Sequence, residues 1–194
     1  MKETTENYDG ANEPAISFEG EIIVIDTIEA VDAAVAYLSQ QSLLGFDTET
    51  KPTFISDDNH IHKVALLQLA DNKRAYLFRL NKTGLPKSLA RLLSNKQVMK
   101  VGVAIHDDIR TLNKLRYFKA ENFVDLQKIV ANYGIVHKGL KKLAEVVLQG
   151  TISKKQRLTN WESETLTEPQ LRYAATDAWV CREIYLKLTT NGAR

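Results

Sequence analysis

The chain has 194 residues, enough for one domain with a proper core. Hydrophobic residues make up 44% and charged residues 26%, which excludes a disordered chain and fits a globular one. The net charge of +2 does not by itself announce a nucleic-acid binder, but its distribution says more. In the opening stretch Glu3, Glu6, Asp9, Glu13 and Glu19 stand against only Lys2, so the remaining body is basic and suited to an anionic partner. A single cysteine, Cys181, excludes an intramolecular disulfide and a cysteine-based zinc cluster. No apolar stretch reaches membrane-span length, and polar residues follow Met1-Lys2 where a signal-peptide core would lie. The expectation is a cytoplasmic, or at least intracellular, protein with no membrane partner.

Residues 1–20 are polar, acidic and aperiodic, and are expected as a flexible arm. Glu21 to Asp26 reads as a first strand, and Thr27 as the N-cap of a helix from Ile28 to Gln41. Leu43 to Thr50 is the central strand, and Lys51 to His62 a loop. Lys63–Ala70 and Arg74–Leu80 are strands joined as a hairpin through Asp71-Asn72-Lys73. Pro86–Leu93 suits a short helix, Val98–Val101 a short strand, and Gly102 turns the chain into a helix from Ile105 to Leu115. Helical patterns follow over Val124–Tyr133, Leu140–Leu148 and Glu168–Leu188, the last with Leu171, Ala174, Ala178, Cys181, Tyr185 and Leu188 at core positions. This order predicts an α/β fold, a mixed sheet flanked by helices.

Three places carry chemistry. In the central strand Asp47 and Glu49 alternate and so share a face, directly after the apolar run Leu43-Leu44-Gly45-Phe46. Two adjacent carboxylates repel, and a hard divalent cation would compensate them; alone, the pair also describes a polar strand end reaching solvent. On the final helix Tyr173 and Asp177 are four residues apart and therefore neighbours, beside the apolar stripe. A solvated edge would explain that pair equally. In Gly102-Val103-Ala104-Ile105-His106-Asp107-Asp108 a strand passes through a glycine turn into a helix, where Asp107 and Asp108 suit either a ligand or the helix dipole.

Phe46-Asp47-Thr48-Glu49, Val101-Gly102-Val103-Ala104-Ile105 with Asp108, and Tyr173-Ala174-Ala175-Thr176-Asp177-Ala178 resemble, in order, the three exonuclease motifs of the DEDD superfamily. Asn122-Phe123-Val124-Asp125-Leu126, Leu158-Thr159-Asn160-Trp161 and Leu166-Thr167 bring it nearest the Werner-type branch, with ribonuclease D more distant. Tyr173, with Arg172 where the other branch has histidine, places it in the tyrosine branch. The resemblance implies a ribonuclease-H-like exonuclease domain over residues 21–190, removing nucleoside 5′-monophosphates from the 3′ end of a nucleic acid, DNA foremost. It implies two divalent cations, Mg²⁺ or Mn²⁺, with Asp47 bridging both, Glu49 and Asp177 completing the first site and Asp108 holding the second. Tyr173 would orient the attacking water.

Candidate substrate contacts are Thr48, Lys51, His106, Arg157 and Trp161. Solvation explains Lys51 equally well, a helix start His106, and a packed core indole Trp161. Lys138, Lys141, Lys142, Lys154, Lys155 and Arg157 form a basic stretch able to track a strand. Gln68 would support the active-site strand from behind. Glu164-Thr165-Leu166 stands where ribonuclease D-like members often carry Arg-Pro-Leu, which weighs against tRNA processing of that type. No Walker A pattern is present, so a helicase or other repair partner would act in trans. The remaining alternatives are an exoribonuclease and a catalytically silent nucleic-acid-binding module; retention of all four carboxylates and Tyr173 weighs against the second.

Overall fold

The computed structural model describes residues 13–52 and 64–191. The chain runs β1 (Glu21–Ile25), α1 (Ile28–Leu38), β2 (Leu43–Thr50), β3 (Val64–Ala70), β4 (Arg74–Arg79), α2 (Leu80–Thr83), α3 (Lys87–Leu93) and β5 (Met99–Gly102). It continues through α4 (His106–Leu115), β6 (Phe123–Asp125), α5 (Leu126–Ile129), α6 (Leu140–Leu143) and α7 (Glu168–Asn191). The strands form one sheet in the order β1-β4-β3-β2-β5-β6. The β3 strand is antiparallel to β2 and β4, while β1 pairs with β4, β2 with β5 and β5 with β6 in parallel.

Alternation along β2 sorts its side chains between two layers. Leu44 and Phe46 face a core completed by Val31 and Leu38 of α1, Leu89 and Leu93 of α3, and Leu112 of α4. Gly45, Asp47 and Glu49 face the other way, toward α7. That second layer is held by Val180, Cys181 and Ile184 against Val101, Leu126 and Leu143, and by Ala174 against Leu66 and Leu77. Gly45 sets the closeness of the approach: a Cβ there would lie 1.8 Å from the Ala178 carbonyl oxygen. Only a glycine lets the helix backbone rest on the strand.

Several boundaries differ from the sequence reading. The helix expected over Val124–Tyr133 begins only after a short strand, because Phe123 and Val124 pair with Lys100 and Val101 and the Asp125 side chain caps Gln127 N at 3.0 Å. A 3₁₀ turn from Val130 to Tyr133 then ends at Gly134 in the left-handed region. The expected helix over Leu140–Leu148 closes as a π turn from Ala144. The arm expected through Gly20 is corrected for its described end, since Phe18 is buried. Its N–H donates to Thr176 Oγ1 at 3.0 Å, its carbonyl accepts from Arg172 at 2.6 Å, and Ala15 bridges Thr151. The expected loop over 51–62, with His60 and His62, lies almost wholly outside the described residues. No helix among the described residues is long and apolar enough to cross a membrane.

Candidate active site

The β2–α7 contact brings Asp47, Glu49 and Asp177 together, each offering a carboxylate oxygen, with these atoms within 4.8 Å of one another. Glu49 and Asp177 are only 8% and 7% exposed, and among the described residues Asp177 Oδ1 has no hydrogen-bond partner. Burial, then the charges of Glu49, Asp177 and Asp108, hold the Asp47 carboxyl well above the usual carboxylate range. Burial, then Asp177 and Asp108, push Glu49 up to about 9, against a downward pull from Arg157. Burial likewise raises Asp177 to about 7, while the Tyr173 hydroxyl and Lys154 pull the other way. Closely spaced buried anions are costly unless a cation joins them, so this oxygen-only donor set fits a hard divalent metal.

Asp108 lies in the first turn of α4, outside this group of three. Its carboxylate accepts a short hydrogen bond from the Thr48 hydroxyl, and burial raises its pKa. Thr48 therefore has a definite role as the tether between β2 and Asp108. Neighbouring Asp107 is exposed and pairs with Arg110 at 3.2 Å, so of the two aspartates Asp108 is the one turned toward β2. The turn before α4 is fixed from β6, where Asp125 accepts from Ala104 N at 3.0 Å; Ala104 itself has φ 58°.

Tyr173 sits one turn before Asp177, 8% exposed, its ring 6.0 Å from that of Trp161. Burial and the charge of Asp177 raise its pKa, which keeps the phenol protonated and a hydrogen-bond donor. These groups open on a cleft of about 370 Å³ whose other wall includes Lys141, Lys154 and Arg157.

The structure separates the candidate substrate contacts. Arg157 lines the cleft, as do Lys141 and Lys154 from the basic stretch, while Lys142 is drawn to Glu145 at 2.8 Å. Lys51 is not in the cleft lining; it pairs with Glu162 at 3.4 Å on the surface. His106 is the exposed first residue of α4 and does not line the cleft. Trp161 is fully buried among Leu66, Leu77, Leu166 and Ala174, so it supports Tyr173 and cannot meet substrate. Gln68 lies opposite Asp47 in the β2–β3 register, fully buried, with no partner for either amide atom.

Some residues around the site escape a motif reading. Cys181 donates its thiol to the Asp177 carbonyl at 3.2 Å. Ile16 and Ser17 wall a second cavity that also reaches Tyr173 and Asp177. The signal for that wall was present in the alternation of Ile16 and Phe18 within an otherwise polar segment.

A 3′–5′ exonuclease family model matches residues 22–193. The chain belongs to this family. Exonuclease 3′–5′ domain-containing protein 2 of Drosophila melanogaster is 37% identical over 150 residues, 75% of this chain and 25% of that protein. The bifunctional 3′–5′ exonuclease/ATP-dependent helicase WRN of Mus musculus is 34% identical over 194 residues, 93% of this chain and 14% of that protein. The chain thus spans a minor part of these relatives' length. In fold it is similar to the EXO domain of Nibbler from Aedes aegypti, with a TM-score of 0.80 at 24% identity over 91% of this chain and 94% of that one. It is also similar to Escherichia coli RNase D, with a TM-score of 0.77 at 21% identity over 89% and 46%. Family and fold agree with the DEDD-type motifs and the ribonuclease-H-like sheet.

Proposed function

We propose that this exonuclease-family chain is a metal-dependent 3′–5′ exonuclease that hydrolyses phosphodiester bonds at the 3′ end of a nucleic acid, DNA foremost. The observation that carries the reading is the group of half-buried Asp47 and buried Glu49 and Asp177 facing a cleft walled by cations. Asp47, Glu49 and Asp177 would hold one divalent ion, Mg²⁺ or Mn²⁺, and Asp108 would support a second beside Asp47. Bound there, such ions supply Lewis acidity for the attacking water and the departing 3′-oxygen.

The chain's own groups perform the rest. Tyr173, kept protonated by its surroundings, donates a hydrogen bond that orients the attacking water; a raised pKa disqualifies it as a base. Arg157, Lys154 and Lys141 receive the substrate phosphates from the facing wall of the cleft. Thr48 holds Asp108 in place.

The test is digestion of 5′-labelled DNA and RNA oligonucleotides in parallel with Mg²⁺, Mn²⁺ or EDTA. Metal-dependent ladders shortening from the 3′ end, with DNA cut faster and nucleoside 5′-monophosphates as product, are expected. Faster cleavage of RNA would replace the substrate assignment by an exoribonuclease. Absence of cleavage with either metal would overturn the reading.

A further inference from the structure

A third concavity, of about 310 Å³, lies beside α3 and α4, on the opposite face of the sheet from the carboxylates. It is lined by Lys87, Ala90, Arg91 and Ser94 along one face of α3, and by Arg116, Tyr117 and Phe118 after α4. Three of these side chains are cations and none is a carboxylate. Among the described residues no acidic group lies within ion-pair distance of Lys87, Arg91 or Arg116. Arg116 is held in place by donating Nε to the Leu85 carbonyl at 2.7 Å. Tyr117 is 81% exposed beside it, above the buried Phe118.

Local structure does not account for this set. A cation at the end of α4 complements the helix dipole, but Lys87 stands at the first position of α3, where the dipole disfavours positive charge. The Tyr117 ring stands exposed beside these cations, free to stack. Convergent cations with an exposed aromatic ring match what a nucleic-acid strand presents, phosphates and stackable bases.

The concavity lies at the C-terminal end of α4, whose first turn carries Asp108, tethered to Thr48 of the cleft lining. That helix starts at the Asp108 turn and ends at Leu115, directly before Arg116, and carries between them the exposed cations Lys114 and Arg110, the latter paired with Asp107 at 3.2 Å. Its ten residues span about 15 Å, roughly four to five phosphates of a stacked strand. We infer that Lys87, Arg91, Arg116 and Tyr117 form a second contact for the substrate strand, holding its backbone phosphates several nucleotides 5′ of the scissile bond. This rests on the exonuclease reading for its substrate, but its residues are separate from the catalytic ones. It makes the protein a measurer of strand length: substrates too short to span α4 forgo the contact.

The experiment compares wild type with the double variant Lys87→Glu/Arg91→Glu on a 20-mer and a tetramer, both single-stranded. On the 20-mer KM should rise about tenfold with kcat unchanged, and the salt dependence of binding should flatten by between one and two in log–log slope. On the tetramer both constants should be unchanged. Tyr117→Ala should weaken 20-mer binding several-fold by anisotropy, with equal loss across base sequences. Parallel loss on both lengths, or an unchanged KM for the 20-mer, overturns the inference. Anisotropy of the 20-mer in EDTA reads the contact without catalysis. If wild type cuts neither substrate yet the double variant binds more weakly, the second contact stands and the exonuclease reading falls.

Discussion

Of the sites that bury charge in this molecule, Lys100 and the carboxylate group solve the problem in opposite ways. Lys100 is fully buried, and its ammonium donates to the carbonyls of Asn95, Val98 and Glu121 at 2.9, 2.8 and 2.6 Å. It also lies 4.8 Å from the centre of the Phe123 ring, and burial lowers its pKa to about 8. The fold thus satisfies this cation from its own backbone. At Asp47, Glu49 and Asp177 the fold gathers like charges, and among the described residues no cation is in contact with them and Asp177 Oδ1 is unpartnered. A buried charge that the chain itself completes serves structure; one that it leaves open marks a ligand.

The comparison predicts opposite phenotypes. Asp47→Asn should lower nuclease turnover on the order of 10³-fold or more, with the melting temperature in EDTA unchanged or raised, because one repelling charge is gone. A lowered melting temperature would place Asp47 with Lys100 as a structural group. Lys100→Met should do the converse, destabilising by about 3 kcal/mol in chemical denaturation as three carbonyls lose their donor, while kcat of the folded fraction stays at the wild-type value. Reduced kcat in folded Lys100→Met protein would break the division between the two sites.

Smaller effects sharpen the contrast. Tyr173→Phe removes one hydroxyl and keeps the ring against Trp161, so kcat should fall about 10- to 100-fold with little change in KM or stability. An equal rise in KM would assign the hydroxyl to binding. The pH dependence follows from pKa values raised to about 9 for Glu49 and about 7 for Asp177. The folded state binds these protons more tightly than the unfolded chain, so their contribution favours folding at low pH. It is lost as pH rises from about 4 toward 9. Urea midpoints in EDTA should therefore fall between pH 5 and pH 8 more steeply for wild type than for Asp47→Asn, and Mn²⁺ should remove the difference. Parallel curves in EDTA would contradict the account.

How much of this was legible in the sequence depended on whether the signal was local. Alternation put Asp47 and Glu49 on one face of β2, and the spacing of Tyr173 and Asp177 put both on one face of α7. Gly45 also stood in the sequence, but its close approach to Ala178 is a contact across 133 positions and has no local sign. The β6 strand was hidden inside a helical pattern because three residues are too few for periodicity; Asp125, capping the helix behind it, was the available clue. Charge and aromaticity misled at Lys51 and Trp161, since residue type does not say that Glu162 will neutralise one or that Leu66 and Leu77 will enclose the other. The acidic composition of the first twenty residues concealed Phe18, which anchors the segment to α7 beside the site.

The central claim is that the open carboxylate site is completed by divalent metal. Calorimetric titration of Mn²⁺ into wild type and Asp47→Asn, with nucleic acid absent and folding checked by circular dichroism, tests it most directly. Saturable binding to wild type, lost in Asp47→Asn at equal helix content, is expected. Equal Mn²⁺ affinity in both, or none in folded wild type up to millimolar concentration, would contradict it.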